Sequence, residues 1–125
     1  MSILVNQAMT SDGTRLVSRS RHDFVQHKYE DGSTCFIDGG LDYVRAGGVG
    51  LTLTTITTDN TIEEIREVFE WGSYGEDGLS GLKWIKLKDI EDDHIKAILT
   101  LPYLSEPMRI MFKREQSFRS LSVHP

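Results

Sequence analysis

A chain of 125 residues with 38% hydrophobic and 26% charged residues has the make-up of one globular domain. That excludes a disordered or fibrous protein and leaves a core large enough to fold without disulfide or metal. The net charge of −5 argues against non-specific duplex binding, which depends on Lys and Arg neutralising phosphates, so nucleic acid is not the expected partner.

The single cysteine, Cys35, cannot form an internal disulfide or a multi-thiolate zinc site, and it reads as a small buried strand residue. No apolar run is long enough to span a membrane, and the N-terminus lacks a basic-then-apolar signal pattern. A cytoplasmic location and no membrane contact are expected.

The first half reads as strands and turns. ILVNQA and RLVSR flank the Asp12-Gly13 turn, predicting a hairpin over residues 3 to 18. HDFVQHKY and TCFID flank Asp31-Gly32 and predict a second hairpin. After Asp38-Gly39-Gly40, LDYVRAGGVG is expected to be an irregular or helical bridge. LTLTTITT then alternates, with Leu51, Leu53 and Thr55 on one face and Thr52, Thr54 and Ile56 on the other.

The second half changes period. Asn60 followed by Glu63 signals a helix start, and Ile62, Ile65 and Phe69 give one apolar stripe over residues 61 to 70, ending near Trp71-Gly72. GSYGEDGLSG predicts an exposed loop and LKWIKL a short strand. Asp92 and Asp93 suit the positive end of a second helix reaching about Leu101, with Ile90 stapled to Ile95. Pro102 stops it. Ser105 caps a third helix with Met108, Met111, Phe112, Phe118 and Leu121 on its apolar side and Arg109, Lys113, Arg114 and Arg119 on a basic one. Strands first and helices later predict a single α+β domain over 1–125, with antiparallel hairpins in residues 1–58 packed with two or three helices from 59–125.

Two segments resemble known sequences. RSRHDFVQH and CFIDGGLDYVRAGG, within residues 19 to 48, are similar to a motif of small uncharacterised tailed-bacteriophage proteins, in which cysteine pairs flank a His-Asp-Phe run and precede an Asp-Gly-Gly. WGSYGEDGLSGLKWIKLKDIEDDHIKAIL, residues 71 to 99, resembles a second phage segment with a Trp-Gly-x-Tyr-Gly opening. Met9, Asp12, His27 and Tyr29 stand where that family has its cysteine pairs, a poor donor set for tetrahedral zinc, so a ribbon without its metal and without a cofactor is expected. The resemblance implies a phage accessory protein that binds host components in the host cytoplasm, antiviral defences among them.

The candidate chemistry is sparse. Arg21-His22-Asp23 is the most suggestive polar cluster, because a histidine can act as a general base oriented by a carboxylate. Neighbours along a strand face opposite ways, however, so His22 is expected with Phe24 toward the core, with Asp23 capping a turn or pairing with an arginine. His22 and His27 fail as a metal pair for the same reason, and His94 and His124 have no histidine partner at ligand spacing.

Asp38-Gly39-Gly40 reads first as a backbone device, with a turn presenting Asp38, Asp42 and Arg45 to a small ligand as the functional alternative. Gly47-Gly48-Val49-Gly50 lacks the Lys and Ser/Thr of a phosphate loop. Trp71 and Tyr74 could stack on a base or anchor a partner, while Trp84 is expected in the core. No nucleophile-base pairing or cofactor motif emerges, which argues against catalysis.

The expected function is therefore binding: sequestering a nucleotide-like signal, for which a homo-oligomer would be natural, or docking on a host protein. Its expected contacts are Arg21, His22, Asp38, Asp42, Arg45, Trp71, Tyr74 and Arg109. The alternatives are a small hydrolase or nuclease using His22, Asp23 and Asp38, or a virion or assembly component.

Overall fold

A computed structural model describes residues 1–74 and 81–122. Most of the loop expected over residues 72 to 81, and His124, lie outside the described residues. The chain is α+β, with antiparallel hairpins in its N-terminal half and helices in its C-terminal half. It divides into two compact units, Met1–Asp59 and Asn60–Pro125.

In the N-terminal unit, β1 (Ile3–Thr10) turns through Asp12-Gly13 into β2 (Arg15–Ser18), pairing Asn6 with Ser18 and Met9 with Arg15. β3 (Val25–Lys28) and β4 (Thr34–Asp38) form the second hairpin, with Val25 opposite Ile37 and Lys28 opposite Thr34. The expected bridge after Asp38-Gly39-Gly40 is instead partly strand: β5 (Arg45–Gly48) adds to β4, Phe36 facing Gly47. A side chain at Gly47 would press on the Phe36 ring at 3.0 Å, so glycine lets the aromatic lie flat across the neighbouring strand.

β6 (Leu51–Leu53) and the two-residue β7 (Ile56–Thr57) run back along β1. The expected single alternating strand is thus broken at Thr54-Thr55. Ala8 and Leu16 from the first sheet meet Cys35 and Ile37 from the second, so burial of apolar surface between two small sheets holds this unit together.

In the C-terminal unit, α1 (Ile62–Val68) starts one residue later than expected. Thr61 is the cap: its hydroxyl accepts from Glu64 N while Glu64 accepts from Thr61 N, a reciprocal capping box. The helix also ends early, because β8 (Glu70–Ser73) pairs with β9 (Lys83–Lys86), Trp71 opposite Ile85. A 3₁₀ turn, Leu87–Asp89, leads to α2 (Asp92–Leu99), and α3 (Glu106–Ser122) follows.

Ile65, Phe69, Leu87, Ile90, Ile95, Ile98, Met111 and Phe112 are buried in this unit, and both Phe69 and Trp71 meet Phe112 edge to face. Trp84, expected in the core, is 42% exposed, because Trp71 and Ile85 occupy the inward face of the hairpin. Among the described residues, no helix is long and apolar enough to cross a membrane.

Candidate functional site

The Arg21-His22-Asp23 and Asp38-Gly39-Gly40 segments are two turns that meet. His22 is not in a strand; β3 begins only at Val25, and His22 sits exposed in the turn at φ 67, a left-handed conformation uncommon for a side-chain-bearing residue. Phe24 is likewise outward, at 48% exposure. The expectation that His22 and Phe24 face the core is thereby corrected: the chain has not yet entered the sheet at these positions. Asp23 does cap the turn, its Oδ2 accepting from Arg19 N at 2.8 Å.

Ser18 joins the two turns. Its Oγ donates to Asp23 O at 2.6 Å and accepts from Gly40 N at 2.9 Å. Gly39 and Gly40 have φ of 109 and 55, and a Cβ on Gly40 would collide with the Ser20 carbonyl. Glycine is therefore required twice over there, for its dihedrals and for the close approach.

Beneath them lies Asn6, fully buried on β1, with Nδ2 at 2.9–3.1 Å from the carbonyl oxygens of Asp38, Gly40 and Tyr43. One side-chain amide thus holds three points of the 38–43 loop, while its Oδ1 has no hydrogen-bond partner among the described residues.

Around this framework Arg21, Asp38, Asp42 and Arg45 form two ion pairs, Arg45 with the buried Asp38 and Arg21 with the exposed Asp42. Arg45 donates to Asp38 Oδ2 from its Nη2 at 2.9 Å, and Asp38 Oδ1 accepts from Gly39 N. Arg21 lies 3.6 Å from Asp42, both largely exposed. Phe24 stacks on Phe36 at 5.0 Å and 23°, and the Arg45 guanidinium lies over Phe36 at 5.1 Å. Gln26, Lys28 and Thr34 continue the same outward face, whereas Cys35 and Ile37 point into the core. Leu41, Tyr43 and Val44 are exposed beside it. Sequence reasoning missed Phe24 and Phe36 as site candidates; the signal was an aromatic two residues after His22 and another at an outward position of TCFID.

The positions aligned with the absent cysteines are also partly gathered. His27 Nε2 and Asp12 Oδ2 are 2.7 Å apart, linking the β1–β2 turn to β3. Hydrogen bonds from Thr10 and His27 hold the Asp12 carboxyl far below the usual carboxylate range. Tyr29 meets His27 edge to face, donates to Val49 O at 2.7 Å and lies 3.5 Å from Cys35 Sγ. Met9 is 40% exposed on β1. Among the described residues, no three His, Cys, Asp or Glu side chains group as a metal site.

The remaining candidates are in the C-terminal unit. Trp71 is half-buried against Phe112 and Tyr74 is exposed. Arg109 donates to the carbonyls of Leu99 and Leu101, satisfying the end of α2 that has no further helical donors. Arg119, which the sequence places on the basic side of the third helix, is also turned inward. With Arg66 it clasps the fully buried Glu115 at 2.7–3.0 Å, and it reaches Asp92 and Leu87 O as well. The Glu115–Arg119 spacing of four was the available signal.

No family model, curated protein or solved structure matches the chain.

Proposed function

We propose that this chain acts by binding, and that the outward face of β3, β4 and β5 with its two joined turns takes a nucleotide-like ligand. The carrying observation is the Phe24–Phe36 stack with Arg45 over Phe36. The outer face of Phe24 offers a platform for a nucleobase, and stacking of this kind is tolerant of which base arrives. Arg21 and Arg45 stand beside it for the phosphate. The exposed Arg21–Asp42 pair is loose enough at 3.6 Å for a phosphate to displace the carboxylate. His22, held outward by its turn, contacts the ligand as a donor or stacking ring.

In the setting implied by the phage resemblance, this binding withdraws a nucleotide signal from a host defence system in the host cytoplasm. Isothermal titration with a panel of mononucleotides and cyclic dinucleotides tests it. Binding in the micromolar range, weakened at least about tenfold by Phe24→Ala and by Arg21→Ala, is expected. A panel that gives no heat at about 1 mM removes the reading. A second reading, docking on a host protein, draws on the exposed Leu41, Tyr43 and Val44. It predicts that Tyr43→Ala abolishes capture of that protein while nucleotides remain inert.

A further inference from the structure

α3 carries more apolar surface than its own unit buries. Met111 and Phe112 face inward, but Ile110 and Leu121 are 48% and 77% exposed. Eleven residues apart, they stand about three turns from each other on one side of the helix. With Ile62 and Phe118 they line an open groove of about 450 Å³ between α1 and α3. Exposed apolar side chains that line up along a groove mark an interaction surface more than scattered ones do.

The groove's charges narrow down its occupant. Glu63 is on the α1 wall and Lys113 on the α3 wall, and neither makes an ion pair among the described residues. Arg114, on the same rim, already donates to Asn60 O. A rim with unpaired charge of both signs is poorly matched to a uniformly acidic or basic helix. It is matched to itself, since a two-fold interface sets residue i against j and j against i.

We infer that this groove is a self-association surface whose occupant is the same groove of a second copy. Antiparallel crossing of the two α3 helices sets Ile110 against Leu121 of the second copy and the reverse. It also brings Glu63 of each copy toward Lys113 of the other. The apolar stripe spans only about 16 Å along α3, so the contact is smaller than the roughly 800 Å² per partner of a standard stable interface. The dimer therefore forms in a concentration-dependent way.

Sedimentation equilibrium of the full chain from about 1 µM to about 500 µM should show the mass rising from the 14.2 kDa monomer toward twice that value. The double variant Ile110→Glu, Leu121→Glu should stay monomeric, with an unchanged circular dichroism spectrum because both sites are exposed. Glu63→Lys and Lys113→Glu should each weaken the dimer about tenfold, and mixing those two variants should restore it, since opposite charges then meet at both contacts. A wild-type chain monomeric throughout overturns the inference. So does a dimer that ignores the double variant, or a mixture no tighter than its components.

Discussion

At the scale of single residues, Asn6 has the largest structural consequence for the candidate site. Its Nδ2 supplies two hydrogens to three carbonyl oxygens inside a fully buried space. Asn6→Asp keeps the shape and replaces a donor by an acceptor facing those carbonyls. At neutral pH a buried carboxylate without a partner costs on the order of 3–5 kcal/mol, and the 38–43 loop loses its anchor.

Burial raises the folded-state pKa of such a carboxylate above its unfolded value, so the neutral, donating acid is regained as pH falls. Urea midpoints should therefore show a deficit against wild type that is large at pH 7 and smaller at pH 5. A deficit equal at both pH values contradicts this account of Asn6. Little of it was legible beforehand, because ILVNQA reads as an ordinary apolar strand and nothing local says that its asparagine reaches residues more than thirty positions away.

At the scale of elements, turn chemistry was readable and strand edges were not. Asp12-Gly13 and Asp31-Gly32 announced both hairpins because glycine takes the positive φ those turns need. β5 escaped because Arg45–Gly48 has no apolar alternation; it pairs along β4, where Gly47 leaves room for the Phe36 ring. β8 escaped because Phe69 extends the helical spacing of Ile62 and Ile65 right up to its start. The helix start slipped by one because NTIEE holds two overlapping cap signatures, and geometry chose Thr61 with Glu64.

The same limit hid the contact between α1 and α3, where Arg66 and Arg119 close on Glu115. Glu115→Gln leaves two guanidiniums short of their shared carboxylate, and losing one partner of a buried ionic cluster costs about 3–5 kcal/mol. Chemical denaturation should show a loss in that range. The exposed Glu67–Lys88 pair provides the contrast, because solvent screens it: Glu67→Gln should lower the midpoint far less than Glu115→Gln does. Equal effects from the two substitutions would count against a structural role for the buried cluster.

Over the whole molecule, carboxylates stabilised in the folded state occur in both units. In the N-terminal unit Asp12 is held down by hydrogen bonds from Thr10 and His27, and Asp31 by Ser33. In the C-terminal unit Glu64 is lowered by Thr61 and Glu67 by Lys88. A group whose folded pKa is depressed contributes stability that is complete above its unfolded value, here 3.8 for Asp and 4.5 for Glu, and lost as pH falls through the folded one.

The opposite sign holds for Arg66, raised by its bond to Glu115, and Lys88, raised by Glu67. It also holds for Arg119, where burial acts downward but bonds to Glu115 and Asp92 outweigh it. Those contributions are complete below the unfolded values and disappear only in strong alkali. Urea midpoints should therefore decline from pH 5 to pH 3. Asp12→Asn should lower the pH 7 midpoint and flatten that decline only in part, since Glu64 and Glu67 keep titrating elsewhere in the chain. A wild-type midpoint as high at pH 3 as at pH 5 would refute the assignment, and an unaltered slope in Asp12→Asn would remove Asp12 from it.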